Sequence, residues 1–426
     1  MQEIELIGID EKIYYYKTKS GLKVYMWVND RVRSMESCLC VKYGSIHTKF
    51  KVGRKIYEVP NGVAHFLEHI KFNISDDVTA HDVFYKLGAD SNAFTTFEYT
   101  NYYTFTTENK CEVINELLNF VYNPFFTKKM VEKEKGIIVE EARMGIDDVN
   151  SLMYFTSLQN VLVKSKFRNF ITGTVDDVNK ISVDDVKLVY DTFYHPENMF
   201  MVVTGNFNPY EVANVVEENL SKKDFLEYKN PYVIMESEPR KVNKKYYEDN
   251  INVGNTNIVM IAKMDMKRFK DFSLNKLNYL LNIIFELNFG VTSDFKEKMI
   301  NDGVATSFGF SSNNFGDDLL IMLSGSVNFK DEYINRIKDK LSNLVVSEKD
   351  FLRKKNALIA TYILNFEEID NVSMRLQDNL INDGYIVEDE KIKLENLSMD
   401  DINKILELLD FSNMSINIYN KKNNQE

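Results

Sequence analysis

Along this chain the hydrophobic and polar positions switch between the two-residue alternation of strands and the three-to-four-residue recurrence of helices. Residues 22–28 and 37–43 mix β-branched, aromatic and alternating polar side chains and predict strands. Residues 61–69 and 80–87 predict helices, the second ending in a turn at Gly88, and a long segment dense in Thr, Phe and Tyr over 91–107 predicts extended structure. Helices are predicted at about 112–122 and 128–144, the latter introduced by Asn123-Pro124 with Thr127 as its N-cap.

The same unit then recurs. Ser182 is followed three residues later by Asp185, a pairing that satisfies free amides at a helix N-terminus, and this helix leads through Phe193-Tyr194-His195-Pro196 into a strand at 198–204. Ser398 and Asp401 open a matching helix 216 positions later, followed by a strand at 413–419. Residues 127–141 line up with 347–361 at an offset of 220, each opening on a hydroxyl cap and continuing as a Lys-rich amphipathic helix. Strands at 257–263, 304–311 and 318–325 and a helix at 274–287 complete the second copy. Two anchors at nearly one offset predict a duplication. Pro231, Pro239 and a cluster of charges interrupt the pattern between the copies. The expected fold is therefore α+β, with two duplicated lobes at 1–228 and 246–426 joined by a linker at 229–245. Each lobe should be a mostly antiparallel sheet with helices packed on one face, the two forming a clamshell.

A length of 426 residues agrees with two to four domains, and 44% hydrophobic residues with ordinary globular cores. The net charge of −12 and the lack of a large Lys/Arg block disfavour nucleic acid as a partner. The start Met1-Gln2-Glu3-Ile4-Glu5 is acidic and lacks a basic segment followed by an apolar one, and no apolar run is long enough to span a bilayer, so no membrane role is expected. Cys38 and Cys40, two apart on a strand, and Cys111 read as reduced core thiols, which favours a cytoplasmic location.

The chemistry concentrates in Asn61-Gly62-Val63-Ala64-His65-Phe66-Leu67-Glu68-His69. Residues four apart lie on one helix face, so His65 and His69 can hold one metal ion, while Glu68 can reach a water on that ion without ligating it. Helical histidine pairs are more often solvated or packed than ligating. Here the chain has only five histidines, all before residue 196, and two of them stand at this offset with the glutamate in place. The order His-x-x-Glu-His is that of the inverzincins. Open catalytic zinc sites usually take a third protein ligand. The Lys-rich helix offers Glu132, Glu134, Glu140 and Glu141; Glu134 and Glu141 are two turns apart on one face, so that one can bind zinc while the other orients a histidine. The duplicated helix carries Lys354 and Thr361 at the matching positions, in the half that has no histidine.

These pieces, with Gly88-Ala89-Asp90-Ser91-Asn92-Ala93-Phe94-Thr95-Thr96 and residues 134–143, resemble the pitrilysin/insulinase family of zinc peptidases, most nearly the processing-peptidase-like members of Gram-positive bacteria. The resemblance implies Zn2+ on His65, His69 and Glu141, with Glu68 as general base and Glu134 as the supporting acid of the catalytic set. It also implies an extended peptide substrate along the strand holding Ser91, Asn92 and Ala93, which agrees with the capacity of an unpaired strand edge to bind any peptide backbone. One departure stands out. Self-sufficient members carry an arginine and a tyrosine, seven residues apart, in the second lobe; aligned on Gly303, this chain has Met299 and Thr306 there. The resemblance therefore implies a homologous partner subunit that supplies the pair. The expected function is a zinc metalloendopeptidase subunit acting on short or unfolded peptides. A narrower form is a maturation peptidase trimming one precursor, such as a ribosomally made antimicrobial peptide. The rival from another class is an inactive peptide-binding or assembly subunit, against which the complete set of four metal-site residues argues.

Overall fold

The computed structural model describes residues 1–75 and 78–422. They form two compact units, one of Met1–Met144, Asn169–Met235 and Tyr362–Glu390, the other of Gly145–Arg168, Glu236–Thr361 and Lys391–Glu426. This grouping differs from a single cut at 229–245 because helices are exchanged. Helix Val149–Val161 joins the second unit, and helix Ile369–Asn382 joins the first.

The first unit is built on a seven-stranded sheet in the spatial order Gln2–Leu6, Glu11–Lys17, Lys23–Val28, Met199–Gly205, Met35–Val41, Thr100–Thr106, Ala89–Thr95. All neighbours are antiparallel except Lys23–Val28 beside Met199–Gly205. Strand alternation assigns the faces. Met35, Leu39 and Val41 join a core with Phe66 and Ile70 of helix Val63–Lys71, Leu117 of Lys110–Val121, Val189 of Val183–Phe193 and Val216 of Pro209–Ser221. Glu36, Cys38 and Cys40 point the other way, onto the exchanged helix Ile369–Asn382. There Cys38 Sγ lies 3.4 Å from Ser373 Oγ, and Asn101 Nδ2 donates to Gln377 Oε1 at 3.0 Å. Helices thus cover the expected face, and one more covers part of the opposite face.

The second unit repeats the plan on five strands, in the order Tyr246–Ile251, Met414–Lys421, Thr256–Asp265, Asp318–Val327, Ala305–Phe315. Helix Leu274–Phe289 packs on one face through the Phe285 and Phe310 rings. The exchanged helix Val149–Val161 packs on strand Met414–Lys421 through Ser157 to Tyr419 and Asn160 to Asn417, each at 2.8 Å. Both expected capping boxes are present, at Ser182 with Asp185 and at Ser398 with Asp401. The extended segment 91–107 is a hairpin rather than one strand, because Thr96 Oγ1 accepts from the amides of Glu98 and Tyr99 and turns the chain.

The histidine helix Val63–Lys71 begins where two backbones cross. Gly62 has φ 83°, and a Cβ there would sit 2.2 Å from the Thr172 carbonyl oxygen; Gly173 has φ 76° and meets Asn61 in the same way. Asn61 ties the crossing down, donating to Asp177 Oδ1 and accepting from Asn169, both at 3.2 Å.

Gly62→Ala should therefore lose about 2 kcal/mol or more of stability in chemical denaturation, from left-handed strain plus the backbone clash. Gly136→Ala, in a helix interior with nothing within 4 Å of the new methyl, should be neutral or gain up to about 1 kcal/mol. Burial beneath the exchanged helix pushes the Glu36 carboxyl up to about 7 from 4.5. A raised carboxyl favours the protonated folded state, so its contribution is full below about pH 4.5 and is lost as pH rises through 7. Wild-type stability should fall across that window by up to about 3 kcal/mol relative to Glu36→Gln, as read from denaturant midpoints at pH 5 and pH 8.

Candidate metal centre

Two helices of the first unit make the site. In Val63–Lys71 the apolar residues Val63, Phe66, Leu67 and Ile70 are buried in the core, which turns His65 and His69 together toward the long helix Lys128–Asp147. Their rings lie 4.6 Å apart. The long helix starts on Thr127, whose Oγ1 accepts the Met130 amide, and it buries Met130, Val131, Ile138 and Ala142. That stripe brings Glu134 and Glu141 to the face that meets the histidines.

The distances are specific. His65 Nε2 is 3.5 Å from Glu141 Oε1, and His69 Nε2 is 3.4 Å from Glu141 Oε2. One donor atom from each of the three residues lies within 4.8 Å of the others, and among the described residues this is the one such group of His, Cys, Asp and Glu. Behind it, His69 Nδ1 donates to Glu134 Oε1 at 3.1 Å. With the proton on Nδ1, the lone pair sits on Nε2 and points at Glu141, the tautomer a metal ligand needs. Glu134 is only 7% exposed, so this bond also satisfies a buried carboxylate.

Glu68 stands off the ligand axis, 6% exposed, and its Oε2 accepts from Thr95 Oγ1 at 2.5 Å. Burial alone would lower the His69 imidazole, but the bond to Glu134 and the charges of Glu141 and Glu68 outweigh it, so the group is raised above its ordinary 6.5. Hydrogen bonding to His65, assisted by the charges of both histidines, in turn lowers the Glu141 carboxyl below 4.5 against its partial burial. Two imidazole nitrogens and a carboxylate converging at these distances suit zinc.

Ser91, Asn92 and Ala93 lie on Ala89–Thr95, the terminal strand of the sheet, which among the described residues pairs only with Thr100–Thr106, antiparallel. Asn92 Oδ1 accepts the Ala93 amide at 2.8 Å, and Ala93 packs on the core. Thr95, on the same strand, meets Glu68 without any motif or spacing in the sequence that marks it. The available signal was the alternation that puts it on one face with Ser91 and Ala93.

The second unit holds a different answer at the related position. Lys354, which aligns with Glu134, donates to Glu286 Oε2 at 3.1 Å, so an ion pair joins the two helices there. Met299 is wholly buried, and Thr306 Oγ1 donates to the Ser326 carbonyl oxygen at 3.3 Å. Among the described residues, no helix is long and apolar enough to cross a membrane.

Comparison with known proteins bears on this geometry. Residues 30–170 match the family model described as insulinase (peptidase family M16), and residues 180–358 match the peptidase M16 inactive domain. The chain is 30% identical over 420 residues to the uncharacterized zinc protease YmfH of Bacillus subtilis, covering 96% of each. It is 27% identical over 203 residues to the putative zinc protease AlbF of Bacillus subtilis, covering 46% of each. A crystal structure of a putative M16-like peptidase from Alicyclobacillus acidocaldarius superposes with a TM-score of 0.91 at 25% identity, over 98% of this chain and 100% of that one. Pitrilysin shares the fold, with a TM-score of 0.73 at 16% identity over 99% of this chain and 46% of its own. The sequence match over nearly the whole length of YmfH, with both family models in chain order, establishes that this chain belongs to the insulinase family, peptidase family M16.

Proposed function

We propose that the chain is the zinc-bearing subunit of a metalloendopeptidase that hydrolyses short or unfolded peptides. The observation that carries this reading is the group His65, His69 and Glu141, with Glu134 fixing the His69 tautomer from behind and Glu68 held to one side. Zinc bound by those three residues supplies a Lewis acid that acidifies water and polarises the scissile carbonyl. The protein's own groups do the rest. Glu68 takes the proton of the attacking water and returns it to the leaving amine. The free edge of Ala89–Thr95, at Ser91, Asn92 and Ala93, takes an extended peptide by ladder hydrogen bonds, which are blind to side chains. Three unpaired thiols, two of them buried, fit a reducing compartment such as the cytoplasm.

The site is one half of a peptidase site. The buried Met299 and the exposed Thr306 offer no cation or phenol to a developing oxyanion, and the loss of one such donor costs about 3 kcal/mol in hydrolases. A homologous partner subunit bearing an arginine and a tyrosine would supply them. Trimming of a single peptide precursor is the narrower form of this proposal.

The purified chain should bind about one zinc by metal analysis, cleave a quenched-fluorescent peptide library slowly alone, and gain about 100-fold when mixed with such a partner. Glu68→Gln should keep the zinc and lose at least about 100-fold in turnover of the active assembly. Equal cleavage by Glu68→Gln, or a chain that takes up no zinc, sinks the peptidase reading and leaves the inactive binding subunit. Glu134→Ala should weaken zinc binding by about 10- to 100-fold in chelator competition, because His69 then loses both its orientation and its tautomer.

A further inference from the structure

Strand Ala89–Thr95 alternates its side chains between two faces. Asp90, Asn92 and Phe94 lie on one, where the Phe94 ring meets those of Tyr99 and Tyr103. Ser91, Ala93 and Thr95 lie on the other, toward the histidine helix. Thr95 ends the strand beside Glu68, and the 2.5 Å separation of Thr95 Oγ1 and Glu68 Oε2 is that of a hydroxyl donating to an ionised carboxylate. Among the described residues Thr95 is the one side-chain hydrogen-bond partner of the Glu68 carboxylate, and it fixes Oε2.

The hydroxyl is itself held. Threonine is β-branched and has few χ1 choices. Thr95 pairs in register with Thr100, with their Oγ1 atoms 3.4 Å apart, and Thr100 donates to the Tyr43 carbonyl oxygen at 3.0 Å in the buried sheet. A line of contacts therefore runs from the body of the sheet through the strand's last residue to the carboxylate. Glu68 sits on a helix whose neighbouring His69 faces a metal site, and a free carboxylate there could swing toward the cation and become a further ligand.

We propose that Thr95 is a positioning residue. It orients the Glu68 carboxylate as a base, keeps it from ligating the metal, and ties its placement to the strand that takes the substrate. This deepens the peptidase reading and rests on it. Peptide backbone and general base would then be registered to one and the same strand, with about one residue of backbone between Ala93 and the tether.

Thr95→Val removes the hydroxyl at nearly constant shape, and Thr95→Ser keeps it. In the active assembly, Thr95→Val should retain its zinc and a KM close to wild type while kcat falls about 10- to 100-fold, the loss expected for a hydrogen bond to a charged group. Thr95→Ser should recover most of kcat. A Thr95→Val enzyme with wild-type kcat, or a Thr95→Ser enzyme as impaired as it, overturns the assignment. Wild-type and Glu68→Gln assemblies that cleave equally would instead overturn the peptidase reading. Crystal structures of zinc-loaded wild type and Thr95→Val decide the assignment in that case as well. The Glu68 carboxylate should hold one position off the metal in the wild type and rotate toward it in the variant; one unchanged position in both refutes the proposal.

Discussion

The contact between the histidine helix and the long helix decides what the first unit can do, and it is made by His69 Nδ1 donating to Glu134 Oε1 at 3.1 Å. Glu134 is buried, so without that partner its carboxylate would lack compensation. The bond then fixes the ring, sets the tautomer and leaves Nε2 to face Glu141. Everything else in the site follows from two helices held in this register: Glu141 lies two turns along, His65 one turn back, and Glu68 is rotated aside toward the terminal strand. The second unit closes the equivalent pair of helices with Lys354 and Glu286. Both units need a polar brace there. Only a histidine leaves a lone pair on its far side.

What could be read from the sequence is what is local. The His65 and His69 offset, the serine caps of Ser182 and Ser398, and the seven-residue step from Glu134 to Glu141 all lie within one element, where the helical period converts spacing into geometry. The exchanged helices were not legible for a physical reason. Their buried faces are mixed: Ser157 and Asn160 stand beside Leu158 and Val161 on one, and Ser373, Gln377 and Asn379 beside Ile369, Val372, Leu376 and Leu380 on the other. A hydrophobic stripe shows that such a helix packs, not on which sheet it packs. Ser157, Asn160 and Gln377 are met by Tyr419, Asn417 and Asn101, more than 250 positions away in the chain. Thr95 was hidden in the same way. The alternation of its strand gives the face it occupies, but not that the carboxylate across from it is Glu68.

The charges of the two units sharpen the contrast. In the second, Lys354 and Glu286 neutralise each other. In the first, three carboxylates, Glu68, Glu134 and Glu141, surround two imidazoles, two of the acids are buried, and no lysine or arginine pairs with them among the described residues. Against its burial, the bond to Glu134 and the neighbouring carboxylates raise the His69 imidazole, and the hydrogen bond to His65 lowers the Glu141 carboxyl. A divalent cation held by His65, His69 and Glu141 would offset the acids gathered there, while Thr95 holds the Glu68 carboxylate aside. The acids gathered around His65 and His69 thus form a group suited to a cation, whereas their counterpart in the second unit, Lys354 with Glu286, is an internally neutral ion pair.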